Sequence, residues 1–373
     1  MSLLPIQTAQ LSSGAQLAYT DSWSSLPASE RPNEFTTIFA LHGVGFNSAV
    51  WTPILPLLPP SIRFIAYNQR SYKGSSQAVE IKEPGGVDAA AQYFVDMLDM
   101  FEFCVEELGA KKVEEGGVVL LGWSKGTVSL ISLLSLLHAS APPAASGTFA
   151  SSLPSLLPSP EDGLIPHASL LTTHLRSIIL YEPPSIAVGA PPTPDVLTHM
   201  FPLLPPATPT QEEWVAGFTA WVGLYSNAPA GSSEPPTSSL PASGLAAFSP
   251  ELLEATYEPT AIQHNASWGP VADYTALGAW AKAALAPPLS PAVPLGLVYG
   301  ERTMEGCLVG AKTIEDWWGV KAGEGVVKAG EEDGGRKRKT AVRSIPLTNH
   351  FAHVHEPEKF VKALMELVEE LGQ

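Results

Sequence analysis

A serine near the first third of the chain has a sequence setting that could make it a nucleophile. A run of apolar residues typical of a buried strand ends in Gly-Trp-Ser-Lys-Gly at residues 122–126, and a helix-forming run follows directly. This pattern is typical of a nucleophile elbow, a strained turn that holds the hydroxyl of Ser124 above the end of a sheet. The glycines lack a Cβ that would collide with the neighbouring strand and helix. The alternative is an ordinary turn between a strand and a helix.

A serine hydroxyl needs a base to remove its proton, and the base needs a carboxylate to orient it. Among the nine histidines we select His350, because it follows the last predicted strand of the chain. A histidine in such a loop can lean over the edge of the sheet toward the elbow. His353 and His355 are the alternatives, although their helical spacing favours packing or exposure to solvent.

The elements that would position these residues alternate between strands and helices. This alternation predicts an α/β fold, with a mostly parallel central sheet and helices on both faces. The predicted strands are 6–9 and 16–23, which form a hairpin, then 36–41, 62–67, the strand before the elbow, 177–181, 295–299 and 341–345. The predicted helices are 50–58, 88–108, the helix after the elbow, 212–224, 250–254, 272–285 and 357–371.

Three stretches interrupt the alternation. Residues 139–173 are rich in serine, proline and alanine, which predicts a loosely packed insertion. Residues 183–294 are too long for a loop and predict a separate helical cap. Residues 321–338 are rich in glycine and charge and predict a surface loop. The predicted domains are a first part of the core at 1–182, the cap, and a second part of the core at 295–373.

The composition limits the possible partners. The chain has 373 residues, 45% of them hydrophobic, and a formal net charge of −16, which argues against nucleic acid and anionic membranes as partners. No signal-peptide pattern is present, and no apolar run approaches the roughly 20 residues of a membrane span, so we expect a cytoplasmic protein without stable membrane insertion. Cys104 and Cys307 match no metal-ligand spacing, and no cofactor motif is present, so we expect neither a metal nor a cofactor. The oligomeric state stays open.

In the order and spacing of these motifs, the chain resembles the α/β-hydrolase superfamily, specifically its cap-bearing branch. The sequence His-Gly-Val-Gly at 42–45 resembles the oxyanion loop of that family, and 122–126 resembles its elbow. Residues 350–357 resemble its terminal histidine, which is followed seven residues later by proline and a helix. The resemblance implies the chain order serine, acid, histidine. It also implies an oxyanion hole made by the backbone N–H groups of Val44 and Lys125.

The chain departs from the family pattern at the acid. That acid usually follows the strand at 295–299 in a Gly-x-x-Asp pattern, but here Thr303 takes the aspartate position and cannot carry a charge. We expect Glu182 to replace it, because some members, including fungal secondary-metabolite hydrolases, place their acid after the strand at 177–181. A structural ion pair at the cap entrance is the other interpretation of Glu182. The remaining alternatives are Glu301 or Glu305, a cap residue such as Asp195, or no acid.

Aromatic residues are the candidates for the wall of a substrate pocket, because pockets are largely apolar and aromatic. Those selected are Trp123 at the elbow, Phe46 after the oxyanion loop, and Trp214 and Trp221 in the predicted cap. They favour a medium-sized apolar small molecule as substrate. The side chain of Lys125 is expected to reach solvent.

The sequence predicts a serine hydrolase that cleaves a carboxylic ester, a lactone or a thioester through an acyl-enzyme on Ser124. Hydrolysis of a carbon–carbon bond by the same three residues is the enzymatic alternative. A non-catalytic ligand-binding protein with the same fold is the alternative from a different class. Only the missing aspartate points to that last possibility, whereas Ser124 and His350 argue against it.

Overall fold

A computed structural model describes residues 3–78, 87–137, 168–193, 210–223, 244–264, 274–286, 293–325, 327–329 and 338–372. Nine strands in these ranges form one sheet. They are β1 (Gln7–Gln10), β2 (Gln16–Asp21), β3 (Thr36–Leu41), β4 (Ile62–Tyr67), β5 (Val118–Trp123), β6 (Leu175–Tyr181), β7 (Leu295–Gly300), β8 (Val327–Ala329) and β9 (Arg338–Ile345).

The sheet is mostly parallel. Its strand order is β1-β2-β4-β3-β5-β6-β7-β9-β8, and the five pairings from β4 through β9 are parallel. Antiparallel pairings occur only toward the two edges, where β1 and β2 form the predicted hairpin and β8 pairs with β9. The predicted α/β class is therefore confirmed.

Nine α-helices accompany the sheet in the described residues. Six of them match helices predicted from the sequence, and α3, α7 and α8 do not. They are α1 (Val87–Glu106), α2 (Gly126–Leu137), α3 (Ala168–His174), α4 (Gln211–Gly223), α5 (Pro250–Thr256), α6 (Tyr274–Leu285), α7 (Glu305–Trp318), α8 (Ala352–His355) and α9 (Pro357–Gly372).

The helix predicted at 50–58 is instead a 3-10 helix, Ser48–Leu57. Pro53 and Pro56 lie inside it, and a proline has no N–H to donate to an α-helical hydrogen bond. Asn47 caps its start by accepting the N–H of Ala49 at 2.9 Å.

Two of the predicted interruptions contain regular structure that the sequence does not predict. Residues 168–173 belong to α3, whose Leu171 is buried in the core, so this end of the predicted insertion is packed. The rest of that stretch, 139–167, lies outside the described residues. Within 321–338, β8 pairs with β9, so this stretch is not simply a surface loop. Strand pairing across a gap in sequence leaves no local periodicity from which to predict it.

Helices cover the two faces of the sheet with two apolar groups. Successive residues of β5 alternate between them: Leu120 belongs to the same group as Phe101 of α1, and Leu121 to the same group as Trp51 and Leu364 of α9. This alternation is the period of two of a strand with both faces buried. The carboxyl ends of the parallel strands therefore lie at one edge of a sheet that is held rigidly from both sides.

The long connection between β6 and β7 contains α4, α5, α6 and the 3-10 helices Gly244–Ala247 and Pro259–His264. It falls in the range predicted as the cap. The ring of Phe248 packs 5.7 Å from that of Phe46, so this connection reaches the loop that follows β3. None of the described helices has the length and hydropathy needed to cross a membrane.

Candidate active site

Ser124 lies at the tight turn between β5 and α2, where its backbone is left-handed with φ 54°. A Cβ on Gly122 would lie 2.8 Å from the carbonyl carbon of Gly126, and a Cβ on Gly126 would lie 2.9 Å from the carbonyl oxygen of Leu41. Because neither position has room for a side chain, the turn requires glycine at both. The predicted strand-to-helix elbow is present.

Backbone strain is concentrated around the candidate catalytic residues. Four non-glycine residues of the described chain have a left-handed φ: Ser71, Ser124, Glu182 and Leu347. Such conformations cost on the order of 1–3 kcal/mol each and cluster at functional sites. Two of the four are the predicted nucleophile and acid, and Leu347 precedes His350 by three residues. Other contacts of the fold must therefore hold these turns in place.

The loop after β3 lies against the elbow. A Cβ on Gly43 would lie 2.9 Å from the Trp123 ring and 3.1 Å from the Cβ of Ser124. The backbone N–H of Val44 follows this contact, and that of Lys125 follows the nucleophile. The structure thus brings together the two chain segments that were predicted to form the oxyanion hole.

His42 makes this loop rigid. Its ring is buried, with Nδ1 2.8 Å from the carbonyl oxygen of Gly43 and Nε2 3.0 Å from the donating N–H of Gln69. Burial lowers the pKa of His42 to about 4. The neutral imidazole therefore donates from Nδ1 and accepts at Nε2, which fixes the start of the oxyanion loop.

His350 lies in the loop between β9 and α8, with 4% of its side chain exposed. Its carbonyl oxygen accepts hydrogen bonds from Trp123 Nε1 at 3.1 Å and from the Tyr181 hydroxyl at 3.4 Å. Trp123 directly precedes Ser124 in the chain, and Tyr181 directly precedes Glu182. The two donors therefore tie the histidine loop to the strands that carry the predicted nucleophile and acid.

Glu182 is fully buried at the end of β6. Its Oε1 accepts the N–H of Gly300 at 2.6 Å, and its Oε2 accepts the hydroxyl of Thr303 and lies 3.2 Å from Nδ1 of His350. A carboxylate only accepts hydrogen bonds, so this contact assigns the imidazole proton to Nδ1 and leaves Nε2 as an acceptor. A general base needs this tautomer.

The other acids considered from the sequence lie elsewhere. Glu301 is exposed, and its carboxylate accepts the hydroxyl of Ser344 at 3.0 Å. Glu305 is exposed in the first turn of α7. Asp195 lies outside the described residues. Among those of these carboxylates that the structure describes, Glu182 is the one that lies against His350.

The sequence reasoning did not assign a role to Thr303 beyond its being a departure from the family pattern. In the structure its hydroxyl donates to Oε2 of Glu182, so the residue at the usual acid position holds the acid that replaces it. The sequence signal for this contact is a pair of changes: Thr303 stands at the usual acid position after one strand, and Glu182 follows the neighbouring strand.

Cys307 was also missed. Its Sγ lies 3.3 Å from the carbonyl oxygen of Glu182 and 3.5 Å from Nδ1 of His350. With these two residues it forms a group of three side chains that could hold a metal ion. Cys307 is the third residue of α7 and follows Thr303 by four positions, but no sequence pattern links it to Glu182 or His350.

The sequence predicts that the side chain of Lys125 reaches solvent, but the residue is only partly exposed. Its Nζ lies 5.1 Å from the ring centroid of Tyr93 on α1. Burial lowers the pKa of this amine well below its ordinary value. The cause is the packing of α1 beside the start of α2, which the sequence positions of the two helices do not reveal.

His353 and His355 pack, which is one of the two outcomes predicted for them. His353 is fully buried, with Nδ1 3.1 Å from the Tyr181 hydroxyl. Burial, with a smaller effect of His350 and His355, lowers its pKa well below the ordinary value. Burial lowers the pKa of His355 to about 4. Both side chains belong to the apolar surroundings of the site.

The candidate pocket residues fall into two sets. Phe46 and Trp123 are buried beside the elbow, with ring centroids 5.5 Å apart. Trp221 lies on α4, 5.8 Å from the ring of Phe218. Trp214 lies on the same helix, but its side chain is outside the described part of the structure. Only the first two therefore have a described position next to Ser124.

A groove of about 930 Å³ lies away from these residues. It is lined at the amino ends of β3 and β6, by Thr36, Leu175 and Arg176 among others. In parallel α/β sheets, ligands bind outside the carboxyl ends of the strands, where Ser124 and Glu182 lie. The size of this groove therefore does not make it the candidate active site.

Comparisons with known proteins address the fold. No family model matches the chain, and no curated protein sequence matches it. Among solved structures, a bromoperoxidase from Bacillus anthracis has a TM-score of 0.55 at 12% identity, over 98% of this chain and 100% of the other. An epoxide hydrolase from Vigna radiata has a TM-score of 0.54 at 12% identity, over 99% of both chains. A putative aryl esterase from Burkholderia cenocepacia has a TM-score of 0.52 at 16% identity, over 98% of this chain and 99% of the other.

Proposed function

Because this chain has the α/β-hydrolase fold, we propose that it is a serine hydrolase that cleaves a carboxylic ester, a lactone or a thioester. The observation that carries the proposal is the contact of 3.2 Å between buried Glu182 Oε2 and His350 Nδ1, at the same sheet edge as the Ser124 elbow. A strained serine, an oriented imidazole and a buried carboxylate are the parts that acyl transfer requires.

Each of the three residues has one task in the proposed reaction. His350 accepts the hydroxyl proton of Ser124 at Nε2 while the serine oxygen attacks the carbonyl carbon of the substrate. Glu182 orients the ring and stabilises the imidazolium that forms. His350 then protonates the leaving group, and an acyl-enzyme remains on Ser124. Water, activated by the same imidazole, releases the acid product.

The negative charge that develops on the substrate oxygen is stabilised by two backbone N–H groups, those of Val44 and Lys125. The contact of Gly43 with the elbow supports this assignment, because it sets the two segments side by side. The lysine amine has no part in this step.

The substrate that fits the proposal is a medium-sized apolar small molecule. Phe46 and Trp123 give the surroundings of Ser124 an aromatic wall. The net charge of −16 disfavours polyanionic substrates such as nucleic acid. The reaction requires no cofactor or metal, and we propose that it takes place in the cytoplasm.

Labelling with a fluorophosphonate probe, followed by intact-mass measurement, tests the proposal. We expect one adduct on the parent protein and none on Ser124→Ala. Ser132→Ala is the matched control, because Ser132 lies on α2 but donates its hydroxyl to Val128. Glu182→Gln should slow labelling by about 10³–10⁴-fold, as the loss of a triad carboxylate does in other enzymes.

An adduct that persists in Ser124→Ala would exclude this serine as the nucleophile. No adduct on the parent protein, under conditions that label a control esterase, would instead favour a ligand-binding role. Equal labelling rates for Glu182→Gln and the parent would remove Glu182 from the mechanism.

A further inference from the structure

Three buried side chains meet on the far side of the His350 ring from its Nε2. They are Glu182, Cys307 and His350, and their ligand atoms all lie within 4.8 Å of one another. The separations are 3.2 Å from Nδ1 to Oε2 and 3.5 Å from Nδ1 to Sγ. This is the one such group of three in the part of the chain that the structure describes.

The two separations from Nδ1 are close to those between ligands of a tetrahedral metal ion. Zinc binds nitrogen and oxygen at roughly 2.0–2.1 Å and thiolate sulfur at roughly 2.3 Å, so two ligands at a tetrahedral angle lie roughly 3.3–3.6 Å apart. One thiolate, one imidazole and one carboxylate also form a donor set that zinc accepts. The remaining pair, Oε2 and Sγ, lies within 4.8 Å.

We propose that Glu182, Cys307 and His350 form an inhibitory site for zinc or a similar thiophilic divalent cation. Binding forms a bond from the metal to Sγ as the thiol loses its proton to solvent. A second bond forms to Nδ1, whose proton is lost while Nε2 gains one, so the imidazole stays neutral. The third bond is to the carboxylate of Glu182.

The charge balance favours such binding. Without metal, the buried group contains one carboxylate and two neutral side chains, a net charge of −1. With a divalent cation, one thiolate, one carboxylate and a neutral imidazole, the net charge is zero. The metal would thus neutralise the charge of the buried carboxylate, and its affinity should rise with pH because a thiol proton is released.

Binding would switch off the proposed hydrolase, so this inference rests on the proposed function. Metal at Nδ1 leaves a hydrogen on Nε2, and this nitrogen can then no longer accept the proton of Ser124. The metal would also occupy the carboxylate oxygen that orients the ring. Because the site is buried, the ion must enter through transient opening of the fold, and inhibition should develop with time.

Equilibrium dialysis against zinc chloride tests the site without reference to activity. We expect one zinc ion per chain that is lost in Cys307→Ser and retained in Cys104→Ala, the variant that removes the other cysteine. Since changes in outer partners alone cost metal sites about 10–100-fold in affinity, loss of the thiolate should cost about 100-fold or more. Cobalt(II) should give a thiolate charge-transfer absorption in the parent and not in Cys307→Ser.

The rate of fluorophosphonate labelling tests inhibition. Zinc should slow labelling of the parent and of Cys104→Ala progressively, and a chelator should restore it. The zinc effect on Cys307→Ser, measured against its own zinc-free rate, should be absent. Magnesium should have no effect on any of them, because it prefers oxygen ligands.

The metal site is overturned if the parent binds no zinc or if Cys307→Ser binds it as tightly as the parent. The inhibition is overturned if the probe labels the parent and bound zinc leaves the labelling rate unchanged. Cysteine-dependent zinc binding in a protein that the probe never labels would keep the metal site. That outcome would overturn the inhibition and the proposed hydrolase function instead.

Discussion

The carboxylate at the candidate site is held by donors from a neighbouring strand. Glu182 follows β6, whereas Gly300 ends β7 and Thr303 follows it. Gly300 and Thr303 hydrogen-bond to the two carboxylate oxygens of Glu182. Its backbone N–H also donates to the carbonyl oxygen of Val298 at 2.9 Å. With donors on both oxygens and a left-handed backbone, the side chain has one orientation, and that orientation faces His350.

At the scale of single residues, Thr303→Val should lower kcat by about 10–100-fold. A hydrogen bond to a charged group contributes about 1.5–3 kcal/mol, and its loss leaves the carboxylate less well oriented. Thr303→Ser retains the hydroxyl and should stay within about threefold of the parent. The measurement is kcat on an ester substrate, or the labelling rate, with thermal unfolding recorded for each variant. If Thr303→Ser lowered kcat as much as Thr303→Val does, Thr303 would act through packing rather than through its hydroxyl.

The residues directly after the oxyanion loop pair with the end of α5 and the residue that follows it, in the connection between β6 and β7. The N–H of Asn47 donates to the carbonyl oxygen of Thr256 at 2.9 Å, and Phe46 and Tyr257 form an isolated antiparallel bridge. The rings of the last two residues are 5.5 Å apart. The predicted cap and the oxyanion loop are therefore joined through their backbones, and a shift of one would move the other.

At the scale of elements, Glu258→Gln should lower kcat by about tenfold, because hydrogen bonds to Glu258 hold the segment after the oxyanion loop in place. Its carboxylate accepts the side-chain N–H of Asn47 at 2.5 Å and the backbone N–H of Lys73 at 2.8 Å. An amide can replace only one of these acceptors, and the lost bond is worth about 1.5 kcal/mol. Glu254→Gln, an exposed change on α5, is the matched control. Steady-state kinetics give kcat for both variants. Equal kcat values for Glu258→Gln and Glu254→Gln would contradict this role of Glu258.

At the scale of the whole molecule, the carboxyl edge of the sheet buries several histidines in a neutral form. Burial lowers the pKa of His42 and of His355 to about 4 each, and that of His353 well below its ordinary value. An unfolded histidine has a pKa near 6.5. Between these values the unfolded chain binds more protons than the folded chain does.

The free energy of unfolding should therefore fall as the pH decreases from about 6.5 toward 4, by up to ~1.4 kcal/mol per pH unit for each buried histidine. Above pH 6.5 the buried histidines make their full contribution to the free energy of unfolding. Urea denaturation at several pH values measures the slope. His355→Phe, which keeps an aromatic ring beside Phe248 and Phe351, should make the slope shallower. A slope identical to that of the parent would exclude His355 as a source of the pH dependence.

Local patterns were sufficient to predict most of the architecture. The strands at 36–41 and 62–67 match β3 and β4 in both bounds, because a buried parallel strand is a continuous apolar run. The elbow was predictable because its glycines are required by close contacts within one short segment. By contrast, α7 and β8 were missed, and the helix at 50–58 was assigned the wrong type. The prolines inside that helix are the local feature that favours the 3-10 form.

The sequence by itself determined the α/β class, the elbow at Ser124 and the candidates His350 and Glu182, because each is marked by a local pattern or by its place after a strand. Only the tertiary structure decided which carboxylate meets the histidine. It also decided that Thr303 holds that carboxylate and that Cys307 lies beside it. The reason is physical: these contacts join residues more than 100 positions apart, and strand order brings them together, which no local periodicity encodes.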